Sequence, residues 1–357
     1  MSEIKVNNIQ SLSGTSGPII SGSVEMNSAG AMSLPRGDTA YRGGRGRGVF
    51  CGAYNAPSAA GRTTIDYVQI STLGNAVDFG DISKVENGLN SASGSSTRAL
   101  IWGGYDGASP NASSNTIDYI TISSTGNTFR FGGYDNNGVA AYGNGSLSDN
   151  IRSVAFGGGS NSDPSTVMQY VSIASLGNSS DFGDVLYRRT YAAGLASPTR
   201  GLFAGGFKSP SPGGGTKFIE YITIQSLGNS QDFGSLINDG FGTDSALSSS
   251  TRGVMAQQTA NTNAGVTNFI EYVTIPSLGD SIDFGDLSVS RGAPGGTSNS
   301  IRGVFAGGRT QQTPAISTSN VIDYITIATL GNATDFGDRT VVSSYPAATS
   351  DSHGGLS

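Results

Sequence analysis

The chain contains few of the residues that mark disulfide-stabilised folds, metal sites or hydrolytic enzymes. It has one cysteine, Cys51, and one histidine, His353, in 357 residues. A single cysteine excludes an internal disulfide and any zinc site built from cysteines. A Ser-His-Asp triad would have to use His353, which lies among small residues with no nucleophile motif beside it. We therefore predict no catalytic residue, no metal site and no cofactor.

Charge and long apolar runs are also scarce. Charged residues make up 13% of the chain, and the net charge is −6 at pH 7. A weakly acidic chain without a basic run is not expected to bind nucleic acid as its main ligand. No apolar stretch has the length that spans a bilayer, and the start, Met1-Ser2-Glu3-Ile4-Lys5-Val6, lacks the regions of a secretory signal. We expect a soluble protein without membrane insertion, made in a cytoplasm.

What the chain does contain is a unit that occurs six times. Each unit has an apolar residue, then Asp, Glu or Gln, then a tyrosine and a second apolar residue, and the tyrosines are 51 or 52 residues apart. A phenylalanine follows twelve residues after each tyrosine. The tyrosines are Tyr67, Tyr119, Tyr170, Tyr221, Tyr272 and Tyr324, and the phenylalanines are Phe79, Phe131, Phe182, Phe233, Phe284 and Phe336. Periods of this size are typical of repeat architectures.

Each unit divides into four short strand candidates, as the last one shows. A Gly/Ala-rich run at 291–296 is followed by an arginine strand at 302–308, a tyrosine strand at 321–329 and, after a Leu-Gly-Asn turn, a strand near Phe336. The tyrosine strand is apolar on both alternating faces, so it must be packed on both. Blades stacked around an axis provide that packing. The predicted fold is all-β, a single six-bladed β-propeller with four strands and about 51 residues per blade.

The arginine strand carries a resemblance to a known family. It ends in Gly-Gly at 103–104, 157–158, 205–206 and 307–308, and a variable loop, a tyrosine strand and an aromatic position follow. This order resembles the kelch family, over about residues 33–350. Blade five departs from it with Ala256-Gln257-Gln258, blade one with Cys51-Gly52-Ala53, and phenylalanine stands where kelch repeats usually have tryptophan.

The two ends of the repeat region offer two ways to close the ring. Residues 33–50 align with 288–305, and residues 338–357 align with 286–305, so the opening strand has seven copies. We predict that one terminal strand, from 33–42 or 339–349, completes the blade formed by Gly44 to Ala53 and the strands of Tyr67 and Phe79. The run Thr340-Val341-Val342 is a candidate for pairing. This divides the chain into an extended arm at 1–32, the propeller at 33–350 and a C-terminal tail at 351–357.

The arm lies outside the repeat and carries a second resemblance. Its opening, Ile4-Lys5-Val6-Asn7-Asn8-Ile9, with Ser13-Gly14-Thr15 and later Gly22 and Gly30, resembles the leaders of structural proteins in tailed phages of marine bacteria. The resemblance implies a virion protein made in the host cytoplasm. Its arm would contact other virion proteins, and the protein would be part of a homo- or hetero-oligomeric assembly.

Two charged positions recur once per repeat. The first opens the second strand of each blade, at Arg47, Arg98, Arg152, Arg200, Arg252 and Arg302. The second precedes the phenylalanine in five repeats, at Asp78, Asp181, Asp232, Asp283 and Asp335, whereas Arg130 replaces it in blade two. Read functionally, the arginines form a ring that holds carboxylates or phosphates. Equal spacing favours a structural role instead, with each arginine mostly buried and hydrogen-bonded to an acid or a carbonyl.

The loops after the Gly-Gly pairs are where the repeats differ. They are rich in Ser, Thr, Asn, Gly and Pro, and three of them open with an aromatic residue, Tyr54, Tyr105 or Phe207. Aromatic platforms beside neutral polar groups suit glycans or protein surfaces. The alternative is that these loops are solvated connectors whose aromatics cover strand ends.

The leading functional hypothesis is a non-enzymatic virion component of a tailed phage, a fibre head, appendage or capsid decoration. Its propeller would be displayed for attachment to a glycan or protein of the host surface. Two alternatives stay open. A glycan-cleaving propeller enzyme would need a clustered pair of acids, whereas the repeats supply one acid per blade. A cellular kelch-type scaffold would bind a protein partner and would not need residues 1–32.

Overall fold

A computed structural model describes residues 46–55, 60–83, 91–106, 112–134, 143–160, 163–208, 214–240, 245–256, 266–311 and 317–356. The predicted arm at 1–32 and the candidate closing strand at 33–42 lie outside these residues. Strands make up almost all of the regular structure that is described, and the only helical segment within these ranges is a 3-10 helix, Gly354–Leu356.

The strands are numbered along the chain. Blades one and two contain β1 (Arg47–Asn55), β2 (Ala60–Gln69), β3 (Val77–Asp81), β4 (Ser91–Gly94), β5 (Arg98–Trp102), β6 (Tyr105–Asp106), β7 (Ala112–Ser113), β8 (Thr116–Thr121) and β9 (Phe129–Gly133). Blades three and four contain β10 (Asn144–Ser148), β11 (Arg152–Gly157), β12 (Gly159–Ser160), β13 (Asp163–Pro164), β14 (Val167–Ser172), β15 (Ser180–Asp184), β16 (Ala193–Ala196), β17 (Arg200–Ala204), β18 (Phe207–Lys208), β19 (Gly214–Thr223) and β20 (Gln231–Gly240). The remaining strands are β21 (Ala246–Ser248), β22 (Arg252–Ala256), β23 (Phe269–Thr274), β24 (Ile282–Asp286), β25 (Gly295–Ser298), β26 (Arg302–Ala306), β27 (Arg309–Gln311), β28 (Ser317–Thr326), β29 (Thr334–Ser343) and β30 (Ala347–Ser350).

Six antiparallel sheets of four main strands form the blades, which confirms the predicted fold. From the inside outward, blade one is β30-β1-β2-β3, and blade two is β4-β5-β8-β9. Blades three to six are β10-β11-β14-β15, β16-β17-β19-β20, β21-β22-β23-β24 and β25-β26-β28-β29. Each inner strand contacts the inner strands of both neighbouring blades, so the six inner strands surround a common axis.

The propeller has two faces because the strands of each blade alternate in direction. The turns between the first and second strands, and between the third and fourth, lie on one face, here called the turn face. The loops between the second and third strands lie on the opposite side together with the linkers from one blade to the next, and this is the loop face. The short strands β6, β7, β12, β13, β18 and β27 extend these loops.

The apolar core lies between blades and not within a single centre. Between blades one and two, Val49, Ile65 and Phe79 pack against Ile101 and Ile122. Five equivalent clusters fill the other interfaces, including the one between blades six and one. In each blade the repeat tyrosine meets the repeat phenylalanine edge to face, with ring centroids 5.9–6.2 Å apart.

Ring closure uses the C-terminal strand. Residues Gly48 to Cys51 of β1 pair with β30, from Ser350 back to Ala347, and β1 also pairs with β2 in the same blade as β3. The register agrees with the alignment of the tail on residues 286–305. The run at 340–342 is not the closing strand: it lies in β29 between the pairs Asp338–Val321 and Ser343–Ser319 at the outer edge of blade six. Thr340 donates from its N–H and its hydroxyl to Asp66 of blade one, at 3.0 and 2.9 Å.

Residues 351–356, set apart as a tail by the sequence, pack beneath the axis on the turn face. Asp351 accepts hydrogen bonds from the backbone of Gly46 and Arg47, at 2.9 and 3.0 Å. His353 donates from Nε2 to the carbonyl of Gly94 (2.8 Å), and its Nδ1 accepts from Gly355 N–H (3.2 Å). Burial lowers the pKa of His353, which agrees with a neutral ring. A Cβ at Gly354 would lie 2.3 Å from a backbone oxygen of blade five, so only glycine fits this close approach.

Candidate functional site

The six repeat arginines join neighbouring blades on the turn face. Each guanidinium lies over the tyrosine ring of its own blade, 4.2–4.9 Å from the centroid. Each also donates, over 2.7–3.3 Å, to an isoleucine carbonyl of the next blade. The acceptors are Ile122, Ile173, Ile224, Ile275, Ile327 and Ile70. The partner is therefore a carbonyl, and the side chains are half-buried where the sequence analysis expected mostly buried ones.

The aspartates that precede the phenylalanines do not serve as partners of these arginines. Asp78, Asp181, Asp232, Asp283 and Asp335 are all exposed, as is Arg130 at the equivalent point of blade two. None of the ion pairs within the described residues involves them. Neighbouring residues of a strand point to opposite sides, so when the phenylalanine enters the interface between blades, the aspartate faces solvent.

A second six-fold contact also lies on the turn face. Gly126 in the Leu-Gly-Asn-type turn of blade two donates to the carbonyl of Phe79 in blade one, at 2.7 Å. The next residue, Asn127, accepts from Asp81 N–H at 3.0 Å. The same pair of contacts occurs at the other five interfaces, with Asp280 in place of asparagine at one of them. The conserved geometry of these turns is thus accounted for by blade-to-blade bonding.

On the loop face, a buried acid in five of the six third strands binds the linker that enters its blade. Three of these are carboxylates paired with a fully buried arginine, and the sequence analysis did not identify these arginines. The pairs are Asp66 with Arg339 (2.8 Å), Glu220 with Arg189, and Asp323 with Arg291 (2.9 Å). Burial lowers the pKa of both Arg189 and Arg291. Two of these arginines could have been found from the sequence, because Arg189 and Arg291 are two repeat lengths apart and therefore occupy equivalent positions.

The other three blades lack this arginine among their described contacts. Asp118 accepts from the hydroxyl of Ser83 at 2.6 Å, and blade three has the neutral Gln169. Glu271 of blade five accepts from Ile237 N–H (3.0 Å) and from the hydroxyl of Ser281. Burial raises the pKa of Glu271, while its hydrogen bonds from Ser281 and Ile237 and the charge of Lys217 offset part of this effect.

The structure places two of the three predicted platform residues on the loop face. Tyr54 is half-buried at the end of β1, where its backbone bridges to Ser344. Phe207 is half-buried in β18, where its backbone bridges to Thr190. The backbone of Tyr105 pairs with Ser113, while its side chain lies outside the described residues. Tyr54 and Phe207 belong to blades one and four, so the described geometry does not bring these two side chains together.

A different pair of aromatic residues lies on the loop face of blade four, with Tyr187 exposed and Phe218 half-buried. Tyr187 in the linker is 41% exposed and stacks on Phe218 of β19, with ring centroids 4.1 Å apart and an interplanar angle of 15°. Both residues lie outside the repeated aromatic positions, so the periodicity gave no signal for them. Together with Phe207, they make blade four the richest in aromatics among the described parts of this face.

The axial channel opens on the loop face through a rim to which four of the described linkers each contribute one residue. Gly143, Tyr191, Ala293 and Tyr345 occupy equivalent rim positions of blades three, four, six and one, with φ between 52° and 64°. Tyr191 N–H donates to the carbonyl of Gly143, and Tyr345 N–H donates to that of Ala293. This left-handed backbone costs a residue other than glycine roughly 1–2 kcal/mol, so the two tyrosines are held there by their surroundings.

Small and neutral residues form the walls of the channel below the rim. The described lining of its outer part contains Gly, Ala, Ser, Asn, Pro and Tyr side chains, and no charged one. Asn144 donates to the hydroxyl of Ser91 at 2.9 Å. The Oδ1 atom of Asn144 and the hydroxyl of Ser146 have no hydrogen-bond partner within the described residues, although both side chains are more than nine-tenths buried. The inner end of the channel reaches His353.

Comparisons with protein-family models and with curated proteins give no match for this chain. The six-bladed architecture is consistent with a kelch-like propeller, while membership of the kelch family and the likeness of residues 1–32 to phage leaders stay predictions. Among the described residues, no group of three His, Cys, Asp or Glu side chains is placed to hold a metal ion. Within the same ranges, no helix has the length and apolar character needed to cross a membrane.

Proposed function

We propose that this protein is a non-enzymatic virion component of a tailed phage, in which the propeller is displayed for recognition of the host surface. The observation that carries the proposal is the difference between the two faces. The turn face repeats the same contacts at all six interfaces, whereas the loop face carries loops and linkers that differ from blade to blade. Varied loops on a rigid scaffold are the usual place of binding sites.

The turn face suits attachment. Gly46, where the described chain enters blade one, lies on this face and is bound to Asp351. Blade one is therefore entered on the face opposite the loop face. Five leucines of the turn face are each more than half exposed: Leu73, Leu176, Leu227, Leu278 and Leu330. Apolar side chains of this kind favour contact with another protein of the assembly.

The glycan-cleaving alternative requires two carboxyl groups close together in one pocket. The described walls of the axial channel carry no carboxylate. The five buried acids of the third strands instead lie in five different blades, and three of them are neutralised by arginines. These observations favour a binding function over hydrolysis.

The test is mass spectrometry of purified particles, together with the genes that neighbour this one. We expect the protein in virions at a copy number that fits a repeated appendage, and a gene located within a structural module. Absence from purified virions would overturn the proposal. Deleting residues 1–32 should remove the protein from particles while leaving its melting temperature unchanged.

Recognition by the loop face is tested separately. Alanine at Tyr105 or Phe207 should weaken adsorption to host cells without lowering the melting temperature. Leu278→Ala, on the opposite face, is the comparison variant: it can lower the amount of protein in particles, but adsorption per copy of the protein should stay unchanged. If the comparison variant weakens adsorption per copy and the loop-face variants do not, the orientation proposed here is wrong.

A further inference from the structure

We propose that the loop face of blade four is a binding site for an acidic polysaccharide, one whose sugars carry carboxylate or sulfate groups. The inference rests on the proposed function, because it assigns a ligand class to the face that is proposed to recognise the host. The site is a surface of three aromatic and three basic residues, here called the blade-four patch: Tyr187, Arg188, Phe207, Lys208, Lys217 and Phe218.

Exposed positive charge is concentrated in the blade-four patch. Within the described residues four basic side chains are exposed, and three of them, Arg188, Lys208 and Lys217, belong to the patch. The fourth, Arg130, lies on the outer edge of blade two. The chain as a whole has a net charge of −6, so this clustering gives one blade of an acidic protein a local attraction for anions.

Backbone hydrogen bonds join the segments that carry the patch. Thr190 in the linker into blade four and Phe207 of β18 donate to each other's carbonyls, at 3.0 and 2.7 Å, which holds the linker beside β18. β18 in turn pairs with the start of β19, the strand that carries Lys217 and Phe218. The basic residues of three segments therefore lie on one continuous surface.

Tyr187 supplies a fixed aromatic platform within this surface. Its ring stacks on that of Phe218, with centroids 4.1 Å apart and an interplanar angle of 15°, while Tyr187 stays 41% exposed. A ring that is already held by stacking loses little freedom when a ligand covers its other side. The apolar face of a sugar ring fits such a platform.

The positive charges of the patch are not cancelled by the described acids around them. Glu220 beneath the patch is paired with the buried Arg189, so its charge is neutralised inside the blade. Asp184, at the end of β15, is exposed and offsets one of the three charges. Lys217 donates to the carbonyl of Ile237 at 2.9 Å, which positions its ammonium group but leaves the charge in place.

The combination of features favours a polysaccharide over other anions. The carboxylate of an acidic peptide would use the cations but leave the Tyr187 ring without a flat partner. A nucleic acid strand stacks successive bases on several aromatic side chains, whereas the patch presents one exposed ring. An acidic sugar chain uses both the cations and the single platform.

The chain offers matched variants for a test. Lys208→Glu reverses a charge inside the patch, and Arg130→Glu makes the same change of charge on the outer edge of blade two. Tyr187→Ala removes the exposed ring of the patch. Phe129→Ala removes an aromatic ring of blade two that is 65% exposed, so it controls for the loss of an exposed ring elsewhere.

The experiment is calorimetric titration of the full chain with oligogalacturonate and with sulfated dextran, which distinguish carboxylate from sulfate as the recognised group. Uncharged dextran and poly-glutamate are the controls. We expect saturable binding of at least one acidic polysaccharide, weakened by added salt, and no binding of dextran. Lys208→Glu and Tyr187→Ala should each raise the dissociation constant about tenfold, whereas Arg130→Glu and Phe129→Ala should leave it unchanged.

Failure to bind either acidic polysaccharide would overturn the proposal, as would equally tight binding of poly-glutamate, which would indicate a site for an acidic protein. Equal losses in Lys208→Glu and Arg130→Glu would also overturn it, because binding would then follow net charge alone. If Tyr187→Ala lowers the melting temperature, Lys217→Glu changes a second exposed side chain of the patch and should weaken binding as Lys208→Glu does. These outcomes are independent of virion mass spectrometry: a protein absent from particles could still bind the polysaccharide, and a virion protein could fail to do so.

Discussion

Glu220 in blade four and Glu271 in blade five occupy the same point of the third strand, and both are fully buried. Glu220 is paired with the buried Arg189, but Gly240 stands at the corresponding point of the linker into blade five. Glu271 keeps a backbone N–H and a serine hydroxyl as donors, and its Oε1 atom has no partner within the described residues. The same repeat position thus holds a carboxylate neutralised by an arginine in blade four, and in blade five a carboxyl group that lacks some of its hydrogen-bond partners.

The difference shows how a repeat protein can vary its interfaces without altering its fold. The apolar cores between blades are equivalent, so the backbone is maintained while the buried polar contacts change. Stability is then expected to differ from one interface to the next, because contacts run mainly between neighbouring repeats.

The largest effect is expected for glutamine in place of Glu220, the glutamate that is paired with an arginine. Glu220→Gln leaves Arg189 buried beside a neutral amide, and breaking a buried pair in this way costs about 3–5 kcal/mol. Urea unfolding followed by circular dichroism measures the loss. Adding Arg189→Met should recover most of it, because no uncompensated charge is left. An unchanged urea midpoint for Glu220→Gln would show that the pair is not formed.

A smaller loss is expected for an arginine whose partner is neutral. Arg200→Ala removes the hydrogen bond to Ile275 and the contact with the Tyr221 ring. No buried charge is left behind, so we expect a loss of about 1–3 kcal/mol. Differential scanning calorimetry of this variant beside Glu220→Gln compares the two classes of arginine. A loss equal to or above that of Glu220→Gln would contradict the distinction drawn here.

At the unpaired site the same change should stabilise the protein. Glu271→Gln removes a buried charge that forms none of the described ion pairs, although the charge of Lys217 offsets part of the burial effect on its pKa. Gln169 already fills this position in blade three. We expect a gain of about 1 kcal/mol at neutral pH. A loss of stability at pH 7 would mean that Glu271 is ionised and well solvated in the folded protein.

The gain should depend on pH. Burial raises the pKa of Glu271 above its ordinary value of 4.5, so the folded state favours the protonated carboxyl. Its cost to stability is absent below pH 4.5 and grows as the pH rises through the raised pKa. Melting temperatures of wild type and Glu271→Gln should therefore converge at acid pH and separate toward neutrality. Parallel curves across this range would refute the assignment.

The smallest effect is expected at an acid outside these networks. Asp232 is exposed, so Asp232→Ala should change the unfolding free energy by less than about 0.5 kcal/mol. The melting temperature at low and moderate salt measures this. A loss of stability comparable to that of Arg200→Ala would support the pairing of these aspartates with the repeat arginines, which the sequence suggested.

The features that recur were predictable, and those that occur once were not. The period of Tyr67 and Phe79 predicted blades, strand order and interfaces, because the same two rings pack at all six places. The partner of each repeat arginine could not be predicted from the repeat spacing. An acid and a backbone carbonyl of the next blade both recur once per repeat, so the spacing does not distinguish them. Arg339 was missed because it reaches Asp66 from β29 itself, a position unlike those of Arg189 and Arg291.

The candidate site was predictable only as far as its face. Loop variability indicated where symmetry is broken, and the structure places Tyr54 and Phe207 there. The rim tyrosines were not identifiable, because their left-handed backbone depends on hydrogen bonds to the preceding linker, which the sequence does not display. The packing of residues 351–356 beneath the axis depends equally on close approaches to blades that are distant in sequence.

The pairing of β30 with β1 has a consequence for how the protein is made. Gly46 and Asp351, which meet at this join, are 305 positions apart in the chain. At translation rates of about 5–20 residues per second, roughly 15–60 s separate the synthesis of the two partners. During that interval β1 has an unpaired inner edge, and such edges associate with other chains. The nascent protein therefore passes through an aggregation-prone stage that ends only when the sixth blade has left the ribosome.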